Sequence, residues 1–91
     1  MTKGTLKEVD SGIKKQVRIL NDAGIDTFES CQGGKGHAYS EPSIRFHGDR
    51  YEGLKAFSVA MRNGLDVMAL RRIYQIVDGE LNGPYWEIVF K

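Results

Sequence analysis

Apolar residues in the first part of the chain fall at Leu6, Val9, Ile13, Val17 and Leu20, in steps of three and four, with Lys7, Lys14, Lys15 and Arg18 on the remaining surface. That spacing predicts an amphipathic helix over 5–23 with one packed and one wet side. Thr5 and Glu8 have the spacing of a capping box at its start. Gly12 weakens the helix interior, which leaves Asp10 or Ser11 as alternative caps. Gly24 stops it, because glycine takes the left-handed C′ conformation without a Cβ clash. The period then changes to two. Residues 25–31 and 43–47 read as strands, and the glycines at 33, 34 and 36 make a loop of what lies between them. Asp49 and Glu52 mark the start of a second helix over 49–63, with Tyr51, Leu54, Phe57 and Met61 on its predicted buried side and Asn63-Gly64 ending it. Residues 65–77 and 85–90 supply two more strands around a turn at 78–84.

The order is αββ, twice. Ala23-Gly24-Ile25-Asp26 lines up with Asn63-Gly64-Leu65-Asp66, and Pro42-Ser43-Ile44-Arg45-Phe46 with Pro84-Tyr85-Trp86-Glu87-Ile88. Neither half can cover its own sheet face, whereas both together can. The expected fold is an α+β two-layer sandwich: a pseudo-symmetric αββαββ domain spanning 1–91, with a four-stranded, mostly antiparallel sheet and two helices on one face. Period two sends Phe28, Ile44 and Phe46 toward the helices, so Glu29, Cys31, Arg45 and His47 gather on the opposite face. In the last strand Trp86, Ile88 and Phe90 are the core-facing set. Trp86, Phe90, Phe57 and Leu54 read most simply as core.

Charge narrows the function. Thirteen Lys plus Arg against twelve Asp plus Glu leave no basic field for duplex nucleic acid, so anion recognition has to be local. One cysteine makes no internal disulfide, and no apolar run has the length of a membrane span or a signal peptide, which points to a reducing cytoplasm.

The chemistry concentrates between residues 27 and 48. Gly33-Gly34-Lys35-Gly36 has the composition to wrap an anion, since glycines let successive N–H groups converge and Lys35 adds charge, although it lacks Walker spacing. Arg45, set in a strand, offers a fixed donor fork, and Tyr39 a stacking face. Arg45 is equally suited to pair with Glu29 across the strands. The candidate ligand-binding set is therefore Gly33, Gly34, Lys35, Gly36, His37, Tyr39, Arg45 and His47. Cys31 with His37 or His47 would be a thiolate and its base, against the plainer alternative of a small buried residue. Cys31, His37, His47, Glu29 and Glu41 are metal-ligand types, but their spacing fits no structural zinc pattern, and no metal or cofactor is expected. Arg71-Arg72, consecutive in a strand, point to opposite faces, so one of them at most joins a given site; exposed strand arginines also guard an edge.

These motifs, from Thr27-Phe28-Glu29-Ser30-Cys31 through Gly33-Gly34, Gly36-His37, Glu41-Pro42, Arg45-Phe46, Arg71-Arg72 and Gly79-Glu80 to Gly83-Pro84-Tyr85-Trp86-Glu87, resemble a group of small proteins encoded in tailed phages and prophages. The pattern covers 23–90 and more often has proline at position 40 and tryptophan at position 74. The resemblance implies a phage accessory role and no particular activity. Its expected forms are a non-catalytic protein holding a small anionic ligand, such as a nucleotide signal of host defence, or an interaction module that docks on a host defence protein. A small Cys31/His37 enzyme is the third form. A homo-oligomer is also expected, burying the Val89 half of the open sheet face.

Overall fold

The computed structural model describes residues 11–34, 36 and 41–91. The predicted Thr5 capping box, with Leu6 and Val9, lies outside them, as do Lys35, His37 and Tyr39. Helix α1 spans Lys14–Asp22 and follows a single 3-10 turn at Ser11–Ile13. Ile13, Val17 and Leu20 are buried, as their spacing requires. Gly12 weakens no α-helix here, because it sits in the 3-10 turn, where its amide donates to Gln32 Oε1 at 2.8 Å. Ile13 occupies the N-cap position of α1 and makes no side-chain cap; the alternative cap Asp10 lies outside the described residues. Helix α2 spans Glu52–Arg62, and Asp49 Oδ1 accepts the Tyr51 amide just ahead of it. Both helices stop in the same way. Gly24 N–H donates to Asn21 O and Ile25 N–H to Leu20 O; Gly64 N–H donates to Met61 O and Leu65 N–H to Ala60 O. With Gly24 and Gly64 at positive φ, these are paired Schellman motifs, and they account for the short internal match in the sequence.

The sheet is antiparallel throughout. Strands β1 (Asp26–Cys31), β2 (Ser43–His47), β3 (Val67–Val77) and β4 (Glu80–Phe90) lie in the order β1-β2-β4-β3. Ile44, Phe46, Ile88 and Phe90 pack beneath the helices with Ile13, Leu20, Ile25, Ala56 and Ala60, giving the expected α+β two-layer sandwich. The match between Pro42–Phe46 and Pro84–Ile88 has a geometric meaning: Arg45 pairs with Glu87, its own counterpart in the repeat, while Ile44 pairs with Ile88 and Phe46 with Trp86. A pseudo-twofold axis therefore runs through the Arg45–Glu87 pair.

Three expectations are corrected. The turn is Asp78-Gly79 alone, both residues at positive φ, and not 78–84; Glu80–Pro84 belongs to β4. An Asp-Gly pair is the usual type I′ hairpin signal, so this turn was readable from the sequence. Phe28 does not face the core. A bulge between Thr27 and Glu29 gives β1 one extra residue, which puts Phe28 on the open face beside Glu29 and leaves Thr27 beneath the helices.

The third correction concerns α2. Tyr51, Leu54, Phe57 and Met61 are exposed, and Gly53, Ala56, Val59 and Ala60 are buried in their place. Apolar residues cover more than half of this helix, so periodicity alone left two possible buried sides. The Trp86 ring decides between them: it lies where a Cβ on Gly53 would stand, 2.6 Å from ring atoms, and only a small-residue side fits against it.

Candidate functional site

On the open face one row of charge crosses the whole sheet. The registers Glu29↔Arg45, Arg45↔Glu87 and Arg71↔Glu87 place Glu29, Arg45, Glu87 and Arg71 side by side on β1, β2, β4 and β3. Arg45 Nη1 donates to Glu29 Oε1 at 3.0 Å and Arg45 Nε to Glu87 Oε2 at 3.2 Å; Arg71 Nη1 donates to Glu87 Oε1 at 2.9 Å. The pseudo-twofold exchanges Glu29 with Arg71 and Arg45 with Glu87, so each charge stands opposite its counter-charge. Identical residues in the two halves would have set like charges against each other at the axis. The row is dry in the middle and wet at its ends. The Glu87 side chain is 6% exposed, against 50% for Glu29 and 59% for Arg71. Sequence reading found the Arg45–Glu29 alternative and missed Glu87, whose signal was a lone carboxylate between Trp86 and Ile88. Arg72, as expected, takes the other face, with its guanidinium 4.9 Å above the Trp86 ring.

An aromatic group adjoins the β1 end of the row. The exposed Phe28 and His47 rings stack at 4.3 Å, Phe28 meets Tyr85 edge-on at 5.4 Å, and the Arg45 guanidinium lies 5.4 Å from the Tyr85 ring centroid. Tyr85 and Phe28 were not on the predicted site; the bulge that brings Phe28 there has no local sequence signature.

The glycine loop leaves β1 directly. Gly33 is buried at φ +79°, with the Glu41–Pro42 backbone occupying the place of any Cβ, so the two ends of the loop are closed together there. Its amide donates to Cys31 Sγ at 3.4 Å. Gly34 and Gly36 also have positive φ, and open space stands where a Cβ would be. Of the predicted ligand set, Arg45 and His47 share the open face and Gly33, Gly34 and Gly36 lie in the loop.

Two further readings change. Cys31 is opposite Ser43 and His47 is opposite Asp26, so the thiol and imidazole stand at opposite ends of the β1–β2 pairing, four residues or ~13 Å apart along β2. His47 is therefore no base for Cys31. Buried Cys31 should resist alkylation in the native protein and react only on unfolding, as a thiol-reagent time course with and without urea would record. A thiol modified rapidly in the native state would contradict this.

Val89 is 5% exposed in the single chain, so it forms no bare apolar patch for a dimer to cover. It lines, with Glu41, Ser43, Met68, Arg71 and Glu87, a cavity of about 60 Å³, too small for a nucleotide. Among the described residues, no cluster of three or more His, Cys, Asp or Glu could hold a metal ion, and no helix is long and apolar enough to cross a membrane.

Comparison with protein-family models, curated proteins and solved structures finds no match to this chain. What defines the site is its own geometry: an alternating ion-pair row ending in an exposed aromatic pair on an open antiparallel sheet.

Proposed function

We propose that this protein is a non-catalytic binding protein of the phage accessory type, which takes a small anionic ligand of the nucleotide class on the open sheet face at its β1–β2 edge. The observation that carries this reading is the state of Arg45. Its Nε is fixed by the buried Glu87, while its outer Nη1 is held by a half-exposed Glu29. An exposed ion pair contributes roughly 0–1 kcal/mol, so a phosphate arriving at that side displaces Glu29 at little cost and finds the guanidinium already oriented. The exposed Phe28–His47 stack lies next to it as a platform for a base. The glycine loop that follows Cys31 carries Lys35. Retention of a host-defence nucleotide signal is the role this chemistry suits.

Calorimetry across linear and cyclic nucleotides tests it. At least one nucleotide should bind, Phe28→Ala and His47→Ala should each weaken binding about tenfold, in line with ~1–3 kcal/mol per stacked base, and Glu29→Gln should tighten it. Absence of binding across the panel at millimolar concentration, or binding indifferent to both ring substitutions, would overturn the proposal.

A further inference from the structure

The two edges of the sheet are unlike. Edge strand β1 has six residues, a bulge, and Asp26 and Glu29 along it, which are ordinary protections against pairing with another chain. Edge strand β3 has eleven; its pairing with β4 also shifts register, between Val67 and Ala69 and between Ile73 and Gln75, but its run Ile73-Tyr74-Gln75-Ile76-Val77 contains no charge. Beyond Tyr85, β3 and β4 continue together as a two-stranded ribbon without β2 beside them. A two-stranded ribbon is marginal by itself, and this one exposes Tyr74, Ile76, Val77 and Leu81.

The exposed flank of α2 lies on this same side. Val59, Arg62 and Asn63 line a cleft with Ile19, Asp22 and Ala23 of the α1 region, and Gly53, Ala56 and Ala60 face the sheet. At 100° per residue, Leu54, Phe57 and Met61 then point away from α1, toward the β3 edge. The register shift between Ile73 and Gln75 sets Gly83 and Pro84 of β4 against Tyr74 alone, so the extra residue is on β4. Alternation along β3 from Arg72, which covers Trp86 beneath the helices, therefore brings Tyr74 and Ile76 to the helix side; Leu81 pairs with Ile76.

We infer that β3 is a dimer interface: a second copy of this chain pairs with it antiparallel about a twofold axis, extending the sheet to eight strands. A twofold uses one edge twice, so the exposed strand is its own complement. An axis at Arg71-Arg72 would oppose like charges, so it falls within the charge-free run near Gln75. With Gln75 on the axis, Val77 of one copy stands opposite Ile73 of the other, and the hairpin turn reaches the level of Arg72 and Trp86, beside the first turns of α2 that carry Leu54 and Phe57. Leu54 is 64% exposed and Ile76 65%. With Phe57, Tyr74 and Leu81 they expose several large apolar side chains on the helix side of this edge, as an interaction surface does. The axis is at the far edge of the sheet from Phe28 and His47, so each copy keeps its own ligand site.

Light scattering of the full chain should give twice 10.2 kDa. Ile76→Lys and Phe57→Glu, both at exposed positions, should each give a monomer with unchanged far-ultraviolet circular dichroism, while Phe28→Ala at the opposite edge leaves the dimer intact. Gln75→Cys, beside the axis, should form a covalent dimer on mild oxidation, which decides the matter if either charged variant misfolds. A wild-type monomer at high micromolar concentration, including one that instead captures a different protein on this edge, would overturn the inference. So would a dimer that survives both charged substitutions, or a Gln75→Cys variant that does not crosslink.

Discussion

Arg45→Met should lower the unfolding free energy by about 3 kcal/mol, the low end of the ~3–5 kcal/mol range for removing one partner of a buried ion pair. The cost comes from what is left behind. Glu87 stays buried with only Arg71, whose side chain is largely in solvent, to compensate it, and the cation beside Tyr85 is lost. The ends of the row should behave differently: Glu29→Gln and Arg71→Met are each expected within about 1 kcal/mol of wild type, because both side chains are half-exposed or more. The double substitution Arg45→Met with Glu87→Leu should recover much of the loss, since it removes the charge that the single change strands. Urea unfolding at one fixed protein concentration, which holds any assembly contribution constant, separates these outcomes. Equal costs for Arg45→Met and Glu29→Gln would mean that the centre of the row is as wet as its ends.

Gly53→Ala should destabilise the protein by about 1–2 kcal/mol, although alanine is worth ~1 kcal/mol more than glycine in an exposed helix interior. Overpacking reverses the sign. A Cβ at this position meets three atoms of the Trp86 ring at 2.6–2.7 Å, and the ring has little freedom to retreat. Its Nε1 donates to Asp49 O at 2.8 Å, Phe46 stacks nearly parallel to it, and Arg72 covers it. Gly53→Val should cost about 3 kcal/mol, at the top of the usual overpacking range. Because Trp86 is the chain's single tryptophan, its fluorescence reports displacement of the ring independently of the unfolding curve. A neutral or stabilising Gly53→Ala with unchanged emission would show that α2 can lift from the sheet freely.

The two effects have a common origin in the pseudo-symmetric centre of the molecule. Trp86 and Arg45 both lie on the β2–β4 pairing, one on each face. That pairing joins the two αββ halves. Damage on either face is therefore expected to loosen the whole sheet, whereas changes at Phe28 or Glu29 act only at an edge.

Local chemistry along the chain was enough for the elements and their order. Glycines at positions 24 and 64 stop two helices because no other residue takes their φ so cheaply. Alternation over Ser43–His47 and Tyr85–Phe90 named the core faces of β2 and β4. The Arg45–Glu29 bridge was also foreseeable, from opposite charges at matching places on two adjacent strands.

Three matters depended on distant parts of the chain. The buried side of α2 was set by the bulk of Trp86, more than thirty residues away, since a helix apolar over most of its surface leaves the choice to whatever packs against it. The position of Phe28 was set by a one-residue bulge, which local propensity does not mark, and a one-residue slip moves a side chain to the other face. The burial of Glu87 was set by two arginines that meet it only in the sheet, from 42 and 16 positions away. The sequence by itself determined which segments form helices and strands, because those signals lie within a few residues of one another. Only the tertiary structure decided which surfaces are covered and which charges are dry, because burial is a property of neighbours that the chain brings together after its elements exist.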